Sequence, residues 1–164
     1  MLVGGRRVWG VATAFTLAHS ITLAATAIGG VTLPSRPVEI LIAGSIVLLG
    51  VEVLRKRRGI DTLGAKRPYL IAFAVGLIHG FGFAGALADI GLPQGTELLA
   101  LLLFNIGVEL GQFALIALAL FVIWGLTKRG GNWRKYTEVF TVYIFTSVAM
   151  FWVLQRIAPY IVSA

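Results

Sequence analysis

Five apolar stretches, at residues 8–30, 37–54, 69–90, 97–124 and 139–157, account for most of this 164-residue chain. Each approaches the roughly 20 helical residues needed to cross about 30 Å of hydrocarbon. The second is short unless its helix continues into Arg55, Lys56, Arg57 and Arg58, whose aliphatic stems can snorkel to the head groups. The fourth is long, which predicts a tilted helix or one that begins in the interface. Turn residues separate the runs: Gly29, Gly30 and Leu33-Pro34, then Gly91-Leu92-Pro93, then Gly130-Gly131-Asn132. A composition of 58% hydrophobic and 13% charged residues, with mean hydropathy +0.90, excludes an ordinary soluble domain. The expected fold is therefore all-α, a polytopic transmembrane helix bundle of about five spans forming one domain over residues 1–164.

The basic residues set an orientation. Arg6, Arg7, Arg55 to Arg58, Lys66, Arg67, Lys128, Arg129, Arg134 and Lys135 fall on one side and only Arg36 and Arg156 on the other, a bias of 12 to 2. That bias predicts a cytoplasmic amino terminus and an exterior carboxyl terminus in the cytoplasmic (inner) membrane. Trp9, Tyr69, Trp124, Trp133 and Tyr136 fall at the same boundary and read as an interfacial belt. Because the net charge of +7 sits in short clusters between apolar runs, it points to lipid head groups and not to nucleic acid. A cleaved signal peptide ending near Ala25-Thr26-Ala27 is the rival reading of the first run, which is however longer than a signal core and interrupted by Thr13, Thr16, His19 and Ser20.

The first four spans carry landmarks that read as an internal repeat, with chance or shared membrane composition as the rival reading. Leu17-Ala18-His19-Ser20 aligns with Leu77-Ile78-His79-Gly80, Leu33-Pro34 with Leu92-Pro93, Glu39 with Glu97, and Gly50-Val51-Glu52 with Gly107-Val108-Glu109. The offsets drift from 60 to 57 residues. Units two spans apart share one topology, so this is a parallel two-helix repeat about an axis along the membrane normal. It makes His19 and His79 equivalent positions.

These are the only two histidines, and both fall about 15 Å deep at ~1.5 Å per residue. Ionisable groups at that depth face the bundle interior or a wet cavity. Asn105, Glu109 and Gln112 share one face of the fourth span, with Glu109 at nearly the same level. With no cysteine in the chain, imidazole, carboxylate and amide oxygen are the ligands on offer, a set suited to nickel, cobalt or zinc more than to copper(I). His19, His79, Asn105 and Glu109 are thus the candidate metal ligands, with Ser20, Glu52 and Gln112 as secondary candidates. The same groups also suit a proton relay, or plain interhelical hydrogen bonding.

Gly76 and Gly80, and Gly107 and Gly111, form two Gly-x-x-x-Gly motifs expected to pack helices closely. Thr16, Ser20, Thr22 and Thr26 are expected to bond their own helix's carbonyls. Glu39 and Glu97 are assigned to helix N-termini, Glu52 to a pair with Arg55 or Lys56, and Asp89 to solvent.

Three strings, Phe15-Thr16-Leu17-Ala18-His19-Ser20-Ile21-Thr22-Leu23, Gly76-Leu77-Ile78-His79-Gly80-Phe81-Gly82-Phe83-Ala84-Gly85 and Phe104-Asn105-Ile106-Gly107-Val108-Glu109-Leu110-Gly111-Gln112, together resemble the HupE/UreJ family of membrane proteins. That resemblance implies association with nickel enzymes, hydrogenase and urease, and a role as a nickel or cobalt permease, with nickel-enzyme maturation proteins as partners beside the bilayer and a divalent metal ion. No resident cofactor is expected; Ni2+ or Co2+ is the transported or bound ion. Relatives carry an upstream helix with a Gly-x-Asp-His motif that has no counterpart here, so the chain is expected to lack that ligand set. Two other functions remain beside the permease: a structural or assembly membrane protein whose polar residues are interhelical glue, and a haem binder with His19 and His79 as axial ligands. No hydrolytic constellation occurs, and no enzymatic activity is expected.

Overall fold

A computed structural model describes residues 7–27, 30–31, 33–90, 95–128 and 133–162, without the side chains of residues 27, 84–90, 97–98, 127, 133–135 and 162. The turns expected at 91–93 and 130–132, and the side chains of Asp89, Glu97 and Trp133, lie outside the described set. Six helices follow in order: α1 Arg7–Ala27, α2 Ser35–Arg57, α3 Leu63–Lys66, α4 Pro68–Ile90, α5 Glu97–Thr127 and α6 Trp133–Val162. Residues 7–26, 35–57, 99–126 and 136–161 are long and apolar enough to cross a membrane, and α4 adds the shorter apolar stretch Pro68–Phe83 within its 23 residues. The five long helices match the five expected spans, and no strand occurs among the described residues.

α2 does continue into the basic run and stops where Gly59 takes a φ of +78°, a backbone setting that glycine adopts without steric cost. The largest departure is α6. It outruns the expected 139–157 at both ends and is tied to α2 by two ion pairs, Arg57 with Glu138 at 2.9 Å near its start and Glu39 with Arg156 toward its end. Glu39 therefore spends its charge across a helix pair and not on its own N-terminus.

The long helices alternate in direction along the chain. α1 and α4 are parallel, since Gly10 lies against Tyr69, Gly76 against Phe15 and Ala18, and Gly80 against His19 and Thr22. α5 runs antiparallel to α1, with Leu23 beside Leu101 near one end and the Trp9 ring 5.2 Å from that of Phe113 near the other. α2 runs antiparallel to both α4, through Ser45 and His79, and α6, through Gly50 and Thr146. The five helices close into a ring in the order α1, α4, α2, α6, α5, with α6 leaning far more on α2 than on α5. The α1–α5 and α4–α2 contacts are comparable in extent.

The interior is small and polar and the exterior large and apolar. Buried positions include Ala12, Thr16, Ala18, His19, Thr22, Ala43, Ser45 and Ala149, whereas Leu110, Leu115, Phe121, Phe140, Phe145 and Ile161 are exposed. Water would reverse that arrangement. In lipid it is the favoured one, because hydrocarbon supplies no hydrophobic drive between helices, which then associate through close packing and hydrogen bonds. The protein is a multi-pass membrane protein. At the basic end, Lys128 sits 3.8 Å over the Trp124 ring, a cation–π contact at the expected interfacial belt. In the α2–α3 connection, the Lys66 hydrogen bond and then its charge hold the fully exposed Asp61 carboxyl below the usual carboxylate range.

Candidate functional site

The site is built on the α1–α4 contact. A Cβ placed on Gly76 would collide with the Phe15 carbonyl oxygen, and one on Gly80 with the His19 carbonyl and the Thr22 hydroxyl. Only hydrogen at these two positions lets the backbones touch, which seats Phe15, His19 and His79 in one interface. The Phe15 ring lies nearly parallel to the His19 ring, at 15° with centroids 6.0 Å apart, and edge-on to the His79 ring, at 73° and 5.3 Å. On its other side His19 meets the edge of Phe83 at 5.2 Å.

A cavity of about 380 Å³ lies between α1, α2, α4 and α5. It runs from Val8, Gly64 and Pro68 at the basic end to Phe15, Ser45 and His79 near mid-span. Its wall is apolar, and among its described lining residues Ser45, His79 and Gln112 alone carry polar side chains. Ser45 Oγ donates to the Ile42 carbonyl at 2.7 Å and lies 3.3 Å from His79 Nε2. A hydroxyl has one proton to give. Since the shorter bond takes it, Ser45 accepts from His79 Nε2–H, which fixes the tautomer and leaves Nδ1 with a free lone pair.

His19 differs from its repeat mate. It is 1% exposed, lines no part of that cavity, and neither ring nitrogen has a hydrogen-bond partner among the described residues. Leaving a buried polar group unmet costs about 1–3 kcal/mol, an expense seldom retained without use. On α5, Asn105 donates through Nδ2 to the Leu101 carbonyl at 2.9 Å, while its Oδ1 is buried and unpartnered. Glu109 accepts from the Thr13 hydroxyl at 3.1 Å, and Gln112 Oε1 accepts from Thr16 at 3.0 Å. The α5 polar face is thus turned onto α1. Among the described residues no three His, Asp or Glu side chains gather closely enough to hold one metal ion.

Of the secondary candidates, Gln112 lines the cavity, whereas Ser20 and Glu52 go elsewhere. Ser20 donates to the Thr16 carbonyl at 2.7 Å, and Glu52 accepts from the Gly64 backbone N–H at 2.9 Å, tying α2 to α3. Glu52 and Glu109, equivalent in the repeat, therefore have different partners. Gly107 and Gly111 have nothing within 4 Å of an added Cβ, whereas Gly50, the repeat mate of Gly107, lies against Thr146 of α6. Phe15, Ser45, Thr13 and the Thr16–Gln112 bond escaped sequence reasoning. A hydroxyl one helix away has no spacing signature, and Phe15 was hidden as an ordinary aromatic among apolar residues.

A protein-family model described as HupE / UreJ protein matches residues 1–156, nearly the whole chain. No curated protein and no solved structure matches.

Proposed function

Because this chain belongs to the HupE/UreJ family, we propose that it is a transition-metal permease or metal-delivery protein of the cytoplasmic membrane, acting on Ni2+ or Co2+ as its cargo. The observation that carries this reading is the cavity that starts at the basic end and finishes on His79, Ser45 and Gln112. An apolar shaft with one oriented imidazole at its foot suits a cation that is partly stripped of water and bound by nitrogen and oxygen. His79 Nδ1 is the leading ligand, Gln112 and Ser45 supply neutral oxygen, and His19, Asn105 and Glu109 serve the ion farther along. The protein works on the ion without breaking covalent bonds. Nickel-enzyme maturation proteins are its partners at the cytoplasmic face.

The test is calorimetric titration of nickel and cobalt into the purified protein. Replacing His79 by alanine should weaken binding at least tenfold, about 1.4 kcal/mol or more. Absent binding, or binding unchanged in both His79→Ala and His19→Ala, eliminates the metal reading. The assembly-protein alternative draws on one specific observation, that Glu109 and Gln112 are already engaged by α1 threonines. A haem held between the two histidines would have to displace the Phe15 ring, and a Soret absorbance band on purification would reveal it.

The proposed orientation follows the positive-inside bias. Reporter fusions at Gly131 and Ala164 should report cytoplasm and exterior respectively. Both reporting one side, or the reverse, would overturn it.

A further inference from the structure

His19 and His79 are equivalent in the repeat and lie on touching helices, yet only His79 borders the cavity. Both rings meet that of Phe15, which lines the cavity, lies edge-on to His79 and runs nearly parallel to His19 with centroids 6.0 Å apart. Gly76 and Gly80 already bring α4 into contact with the carbonyls of Phe15 and His19, so the helices cannot come closer there. Side-chain rotation is the motion that opens a passage between the imidazoles without moving the backbone. The cavity borders the Phe15 ring and leaves it room for such a swing.

We propose that Phe15 is the gate of the permeation path, separating two single-histidine stations that the cation visits in turn. This deepens the permease reading and rests on it. At the first station His79 Nδ1 receives the ion from the cavity. When the Phe15 ring rotates toward the cavity, the face of His19 is uncovered and its unpartnered nitrogens take the ion over. A one-histidine station holds a divalent cation loosely enough to release it, which conduction requires.

The absence of native cysteine makes a direct accessibility test feasible. His19→Cys and, as a cavity reference, Ala72→Cys are placed singly in the full chain in proteoliposomes and reacted with 2-aminoethyl methanethiosulfonate. With Phe15 in place, His19→Cys should react at least tenfold more slowly than Ala72→Cys. Adding Phe15→Ala should raise the His19→Cys rate at least tenfold and leave the Ala72→Cys rate unchanged. Size-exclusion profiles identify variants that fail to fold, and Phe15→Leu, which keeps an apolar side chain without the ring, then takes the place of Phe15→Ala with a rise of several-fold expected. A His19→Cys rate that is already fast, or one that neither folded variant raises, overturns the gate. The assay contains no metal, so a failed nickel titration with a preserved labelling difference sinks the metal reading alone.

Discussion

Replacing Gly80 by leucine should prevent α1 and α4 from docking, and most of the protein should fail to appear as a monodisperse species after detergent extraction. The physical cause is specific to this position. A Cβ there meets the His19 carbonyl and the Thr22 hydroxyl, and while a hydroxyl can rotate away, a helix carbonyl cannot. Gly76→Leu should act in the same way, because its Cβ would meet the Phe15 carbonyl and the Ala18 methyl. Overpacking costs about 1–3 kcal/mol even where side chains can yield, and here the obstacle is backbone in the most extensive helix contact of the bundle. Gly107→Leu and Gly111→Leu supply the control. Both positions open onto free space, so both should fold as the native chain does, within about 0.5 kcal/mol. Size-exclusion yield and thermal midpoint check the four variants side by side. Equal tolerance, or equal failure, at the two motifs would remove the α1–α4 contact from its place at the centre of the fold.

That contrast marks where the sequence can be read and where it cannot. The two Gly-x-x-x-Gly motifs are indistinguishable as strings, since each states only that a backbone can be approached. Which one is approached depends on the ring order of the helices, and ring order is a property of three-dimensional packing. The five long helices and the α2 extension into Arg55 to Arg57 were legible because bilayer thickness sets a length that composition must meet. The docking of α6 on α2 was not, since it involves Glu39–Arg156 and Arg57–Glu138, pairs separated by more than 80 residues in the chain. Among the polar residues, depth could be counted at ~1.5 Å per residue, but direction could not. His19 and His79 share a depth, yet His79 faces a cavity and His19 is buried away from it, although both rings touch that of Phe15. Ser20, Thr22 and Thr26 donate to carbonyls of their own helix, as local geometry favours. Thr16 also reaches α5, which no local rule anticipates.

Glu109→Gln should leave the bundle intact and reduce nickel or cobalt transport at least tenfold, and this substitution separates the permease from the assembly protein most sharply. Glu109 faces α1, where its one described hydrogen bond comes from the Thr13 hydroxyl. A carboxamide oxygen accepts that bond equally well, so glutamine preserves the contact, the side-chain length and the helix packing. What it removes is the capacity to carry a negative charge. A charged carboxylate within the span costs on the order of 2.5–3.5 kcal/mol on insertion scales, so interhelical glue alone favours the amide, and an assembly protein should be unharmed or slightly more stable as Glu109→Gln. A path for a divalent cation has the opposite need, because the charge offsets part of the ion's desolvation. Thr13→Val completes the comparison by removing the donor while keeping the carboxylate. It should lower the thermal midpoint through the lost hydrogen bond, worth about 1 kcal/mol or somewhat more for a charged acceptor, and retain transport in the molecules that fold. Uptake of nickel or cobalt into proteoliposomes, normalised to folded protein, reads both variants. Full uptake by Glu109→Gln would remove the carboxylate from the ion's path and leave it as the fastening of α5 to α1.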